Sequence, residues 1–118
     1  MALTYAPGDD LVFQIESGFG LIRVLAVEGE GRDAVWHLSV YYDFYPDVES
    51  AEAALDAGHQ LAVREPHIAL TEHAFEKTPA ARLTNRPVRD DELEALRRWR
   101  QDSGAVHDRS VLLLIGMR

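Results

Sequence analysis

Apolar residues alternate with polar ones through Leu11, Phe13 and Ile15, break at Ser17-Gly18-Phe19-Gly20, and resume as a nearly continuous apolar run from Leu21 to Val27. A period of two marks a strand with one face on a core, and glycine supplies the dihedrals of a tight turn. The stretch therefore predicts a β-hairpin, turning at Ser17–Gly20, at the start of a small barrel-like sheet. A second turn, Gly29-Glu30-Gly31-Arg32-Asp33, leads into residues 34–42. There Trp36, Leu38, Val40 and Tyr42 share one face, and His37, Ser39 and Tyr41 the other. This third strand is expected to turn Tyr42 into the core and Tyr41 away from it.

Helical spacing follows. Pro46 stops the strand, Asp47 is placed to cap a helix over 48–57, and Val48, Ala51 and Leu55 form its stripe before Gly58 ends it. Residues 60–64 and 67–71 read as two strands around Pro66, or as one strand with a break. Thr71 is placed to cap one or two helical turns reaching Lys77. Residues 78–87 show little periodicity and take no element. The clearest helix spans 91–103, with Asp91 and Glu94 at capping-box spacing and Leu93, Leu96 and Trp99 on its apolar side. Residues 110–116 contain Val-Leu-Leu-Leu-Ile, apolar on both faces, which predicts a closing strand inside the sheet. The fold class is α+β: a strongly bent, SH3-like antiparallel sheet of five or six strands with two main helices, near 48–57 and 91–103. In 118 residues this makes one domain.

Composition narrows the function classes. There is no cysteine, so disulfides and thiolate metal sites are excluded. No apolar run approaches the ~20 residues that cross a bilayer. The first residues lack the basic and apolar regions of a secretory signal, so the expected location is cytoplasmic. Net charge is −8, unevenly spread: residues 1–76 carry 3 arginines against 14 acids, and residues 77–118 carry 9 basic residues against 6 acids. Such a field repels nucleic acid and favours a basic protein partner.

Candidate chemistry is sparse. Glu65, His67, Glu72 and His73 have ligand-type side chains, but strand geometry does not converge them and no His-Glu-x-x-His spacing occurs, so no metal is assigned. No Gly-x-Ser-x-Gly elbow is present, and Gly18-Phe19-Gly20 lacks the third glycine and helix start of a phosphate loop. The chain is therefore read as non-catalytic, with no catalytic residue and no cofactor. Asp9-Asp10 and Asp90-Asp91 are read as turn and cap residues. The binding candidates are Tyr41, Phe44 and Tyr45, as anchors at the mouth of the barrel or as packing under the helix that follows. Arg82, Arg86 and Arg89 form a basic patch for phosphate or an acidic partner, or pair with the acidic remainder of the chain.

Tyr5-x-Pro7-Gly8-Asp9, then Phe13-x-Ile15, then Gly18-Phe19-Gly20-x-x-Arg23-Val24-Leu25, resembles the start of a bacterial immunity-protein family of polymorphic and contact-dependent toxin systems. The resemblance covers residues 5–27, continues only as an order of strands and helices, and gives residues 82–104 no counterpart. It implies a non-enzymatic protein that binds a toxin, and it carries over no functional residue. The alternative is an SH3-like nucleic-acid or small-ligand reader, with Tyr41, Phe44 and Tyr45 stacking on a base beside Arg82, Arg86 and Arg89.

Overall fold

The computed structural model describes residues 5–57 and 61–116. Alternation at Leu11, Phe13 and Ile15 builds β1 (Asp9–Ile15), which pairs antiparallel with β2 (Gly18–Glu28). The register runs from Asp10 opposite Arg23 to Ile15 opposite Gly18, so the turn is the two residues Glu16 and Ser17 rather than Ser17–Gly20. Gly20 lies inside β2 because the Phe13 ring covers it: a Cβ there would sit 2.5 Å from Phe13 Cζ. A side chain at that position and the aromatic ring would occupy the same space.

β3 (Val35–Tyr41) and β4 (Val63–Thr71) extend the sheet on one side, and β5 (Ala80–Asn85) returns to pair with β1 on the other. All pairs are antiparallel, in the order β4-β3-β2-β1-β5. Register shifts between Val24 and Ala26, around Val40, and between Asp10 and Leu11 mark irregularities that increase local twist and bend the strands. β4 and β5 do not pair with each other, so the sheet stays open and is not closed into a barrel.

Four helices cover the two faces: α1 (Val48–Asp56), α2 (Glu72–Glu76), α3 (Glu94–Gln101) and α4 (Val111–Leu114). Asp47 caps α1 by accepting from Ser50 N, and Thr71 caps α2 by accepting from Ala74 N, both as expected. Gly58 and Gln60 lie outside the described residues. The strand reading of 60–71 resolves within those residues to a single strand, β4, which keeps Pro66 on an outer edge where no amide is needed. The helix expected over 91–103 is preceded by a 3-10 turn, Asp90–Leu93. Its cap is Glu92, which accepts from Arg89 N at 2.7 Å, rather than the Asp91–Glu94 box.

Two predictions for the C-terminal third fail. Residues 80–85, left without an element, form β5; as an edge strand it is half exposed on both faces and leaves no alternating signature. Residues 110–116, expected as a central strand, instead form α4, with Val111 and Ile115 buried and Leu113 64% exposed. A short apolar run satisfies either period, and the sheet here has no vacant neighbour for another central strand.

The main core lies on one sheet face, where Leu11, Phe13, Val24, Trp36, Leu38, Val40 and Leu70 meet Phe75 of α2 and Val111 of α4. Trp36 stacks on Phe75 at 4.1 Å between ring centroids, with the Tyr5 ring edge-on to both. The other face carries a smaller apolar cluster of Val12, Leu21 and Tyr41 under Ala51 and Leu55 of α1. Beyond that cluster the second face carries buried polar groups, Arg23, His37 and Ser39 among them, under α3 and the turn before it. No described helix is long and apolar enough to cross a membrane.

Candidate functional site

Arg23 lies in the middle of β2, an apolar strand, and is 1% exposed. A guanidinium keeps its charge and has five N–H donors, so burying one demands acceptors around the whole group. β1 supplies Asp10 directly across the hairpin, its Oδ1 3.2 Å from Arg23 Nη1. Nη1 also donates to Gly8 O at 2.9 Å, and Nη2 to Arg86 O and Pro87 O at 3.0 and 3.2 Å. Nε donates to Glu92 Oε1 at 2.5 Å. One side chain thus ties the first hairpin to the segment after β5 and to the turn that starts α3.

Asp10, also fully buried, accepts from Thr84 Oγ1 at 2.7 Å, from Arg86 Nε at 2.7 Å and from Arg86 Nη2 at 3.1 Å. Arg86 Nη2 donates to the Tyr41 hydroxyl at 3.1 Å as well. The hydrogen bond to Asp10 raises the Arg86 guanidinium above its ordinary value. Burial, with the Asp10 charge beside it, pushes the Tyr41 phenol up to about 12, so it stays protonated. Burial alone would raise the Glu92 carboxyl, but hydrogen bonds from Arg23 and the Arg89 amide outweigh it and hold the group below its ordinary value. Asp9 is buried beside this network, accepting from Asn85 Nδ2 at 2.7 Å and Ala6 N at 2.8 Å. The adjacent aspartates expected to serve only a turn are therefore anchors of the fold.

Beside the network the second sheet face opens into a cavity of about 270 Å³. Ser39 and Tyr41 line it from β3, and Leu61, Val63 and Pro66 from β4 and its approach. Arg86 and Arg89 enter from the segment after β5, while Glu92, Glu94, Ala95 and Arg98 form the wall toward α3, with Asp91 beside them. Arg89 is 3.0 Å from Asp91, and Arg98 is 2.7 Å from Glu94. The lining offers binding chemistry: guanidinium donors, carboxylates, a protonated phenol and an apolar wall. It contains no histidine to act as a base toward Ser39.

Farther along the same face, His37 and His67 stack at 5.1 Å, with His37 Nδ1 2.9 Å from His67 Nε2. Trp99 of α3 packs against both rings, at 4.9 and 5.6 Å between centroids. Burial lowers His67 to about 4, with the charges of His37 and Arg100 adding to it. Burial also lowers His37, outweighing Glu28, whose Oε1 lies 2.5 Å from His37 Nε2. As neutral rings, one donates to the other, and together they seat α3.

Of the six binding candidates, three come together: Tyr41, Arg86 and Arg89 line the cavity. The expected exposures of Tyr41 and Tyr42 are reversed. Tyr41 is 6% exposed and packs under α1, whereas Tyr42 is 58% exposed. Tyr41 keeps the face of Ser39, as the alternation requires, but α1 covers that face and buries the ring. A buried Tyr41 presents no ring face to a base. Tyr45 packs against the cluster under α1, paired through its backbone with Phe19, and Phe44 is at the surface. Arg82 is exposed, 3.8 Å from Asp9 and outside the cavity. The four ligand-type residues are dispersed: His67 faces His37, Glu72 accepts from Trp36 Nε1 at 2.5 Å, and His73 lies 3.4 Å from Asp108. Among the described residues no group of three or more His, Cys, Asp or Glu could hold a metal ion.

A second surface runs from Tyr42 through α1. Glu49, Glu52 and Asp56 are exposed and lie along one side of the helix, opposite the buried Ala51 and Leu55. Tyr42, Phe44 and Val48 are exposed beside them, as are Asp43 and Asp47. No lysine or arginine occurs between Arg32 and Arg64. Comparison with family models, curated proteins and solved structures returns no match to this chain.

Proposed function

We propose that this chain is a non-catalytic protein-binding module with a basic partner, in the manner of the toxin-binding immunity proteins its first strands resemble. The observation that carries the reading is the surface of residues 42–56. It sets exposed Tyr42 and Phe44 among five exposed acids, Asp43, Asp47, Glu49, Glu52 and Asp56, with no cation in the segment. Aromatic anchors supply contact area, while an uncompensated acidic rim attracts a basic surface and rejects an acidic one. An SH3-like bend belongs to the same reading, supported by the bulged antiparallel strands and the return of β5 to β1. The encounter would take place in the cytoplasm.

Gene context and growth rescue test this together. An adjacent reading frame should encode a basic protein that arrests growth, and coexpression of this chain should lift the arrest. Glu49→Lys with Glu52→Lys should abolish the rescue with little change in melting temperature, because among the described residues neither side chain makes a hydrogen bond or ion pair. Rescue that survives both charge reversal and Phe44→Ala would reject this surface, and no rescue by the wild-type chain would reject the function.

A further inference from the structure

We infer that the cavity beside the Arg23 network binds a small carboxylate with an apolar body, with Arg86 as its principal anchor. The clamp on Asp10 uses Nε and Nη2 of Arg86, and Nη2 is also engaged by Tyr41. Among the described residues Nη1 takes no part in these bonds, and the Arg86 side chain, 35% exposed, lines the cavity. The guanidinium is fixed before any ligand arrives, because Asp10 grips it from a fully buried position and Arg23 holds its backbone oxygen. The ligand is offered Nη1, a charged nitrogen with two N–H donors held in place, which suits a carboxylate oxygen.

Two further arginines stand at the opening. Among the described residues Arg89 and Arg98 are held only by exposed partners, Asp91 and Glu94, and such surface pairs are weak enough to exchange for a ligand oxygen. Glu92 does not repel an anion in the same way, since Arg23 and the Arg89 amide occupy its oxygens. Leu61, Val63, Pro66 and Ala95 supply the opposing apolar wall. The volume of about 270 Å³ is below the ~300–1,000 Å³ typical of drug-sized ligands, so the body should be compact, on the scale of one ring or a branched alkyl chain. Nothing in this inference depends on a protein partner.

Titration of the full chain with phenylacetate, phenylacetamide and phenethylamine, three probes of similar body and different charge, decides it by calorimetry and amide NMR at fixed ionic strength. Phenylacetate should bind at one saturable site, at least tenfold tighter than the amide and tighter still than the amine, shifting the amides of Arg86 and Ala95. Arg86→Lys, which keeps the charge but cannot both hold Asp10 and present a second nitrogen to the cavity, should weaken it tenfold or more. That variant also touches the buried network, so Ala95→Phe, which fills the cavity from α3, and paired Arg89→Gln and Arg98→Gln serve as independent checks. The first should abolish binding and the second weaken it several-fold. Equal affinity for acid and amide, preference for the amine, no saturable phenylacetate binding, or phenylacetate binding unaffected by Ala95→Phe would each overturn the inference.

Discussion

Arg23 supplies the cation for the partly buried Glu92 and shares the fully buried Asp10 with Arg86, and each of its nitrogens has an acceptor. Replacing it with leucine leaves Glu92 without its cation, Asp10 with Arg86 alone, and the Gly8, Arg86 and Pro87 carbonyls without this donor, so Arg23→Leu should destabilise the fold by about 3–5 kcal/mol. Arg23→Lys retains the charge but not the fork that reaches Gly8, Arg86, Pro87 and Glu92 together, and should fall between wild type and the leucine variant. Urea unfolding at neutral pH measures both. A leucine variant within ~1 kcal/mol of wild type would mean that this network contributes no more than a surface pair. The same residue sets up the site, because its bonds to the Arg86 and Pro87 carbonyls fix the chain from which Arg86 enters the cavity.

α3 is seated by unlike contacts: Leu96 buried in the second face, Trp99 on the histidine pair, and the preceding turn held by Glu92 on Arg23. The histidines give this seat a pH dependence. Burial favours the neutral form of both; Glu28 favours the charged form of His37, Arg100 opposes it in both, and His37 opposes it in His67. His67 is lowered to about 4, below its ordinary value of 6.5, so the unfolded chain takes up its proton first as pH falls. Its contribution to stability is complete above pH 6.5 and is lost as pH drops through that value toward 4. Thermal melts across pH 7 to 4 should therefore show wild type losing more stability than His67→Gln, and parallel curves would remove this role. In α4, Ile115→Ala should cost about 2–5 kcal/mol as a buried truncation. Leu113→Asp should stay within ~0.5 kcal/mol, because its side chain points to solvent. In a central strand Leu113 would share a face with Val111 and Ile115, so chemical denaturation of this pair separates the two secondary structures.

At the scale of the whole molecule, the basic residues of the last third do not form a separate positive surface. Arg86 is spent on Asp10, Arg89 and Arg98 pair with acids near them in sequence, and Arg100 reaches Glu28 across the fold. Among the described residues the acids of α1 have no such partners, so the field outside residues 42–56 is negative. Association with a basic partner should accordingly slow by about tenfold or more between low and high salt, with the change in the association rate rather than in dissociation. Stopped-flow kinetics at several salt concentrations would show it, and a salt-independent association rate would detach the charge from the function.

Local information was enough for the elements that one period describes: β1, β3, α1 with its Asp47 cap, α2 with its Thr71 cap, and the apolar stripe of α3. Each has a repeating face or a capping side chain within a few residues, and these signals do not depend on the rest of the chain. The pairing of Asp10 with Arg23 was within reach, since a charged residue inside an apolar strand needs a partner. A turn at Ser17–Gly20 sets Asp10 opposite Val27, whereas the turn at Glu16–Ser17 sets it opposite Arg23. Misplacing the turn therefore concealed the centre of the site. Edge strand β5, the helical state of α4, the burial of Tyr41 and the gathering of Tyr41, Arg86 and Arg89 around one cavity were decided by tertiary structure alone. All four depend on which surfaces lie opposite, and residues 75 positions apart, as Tyr5 and Ala80 are, carry no record of that in their local sequence.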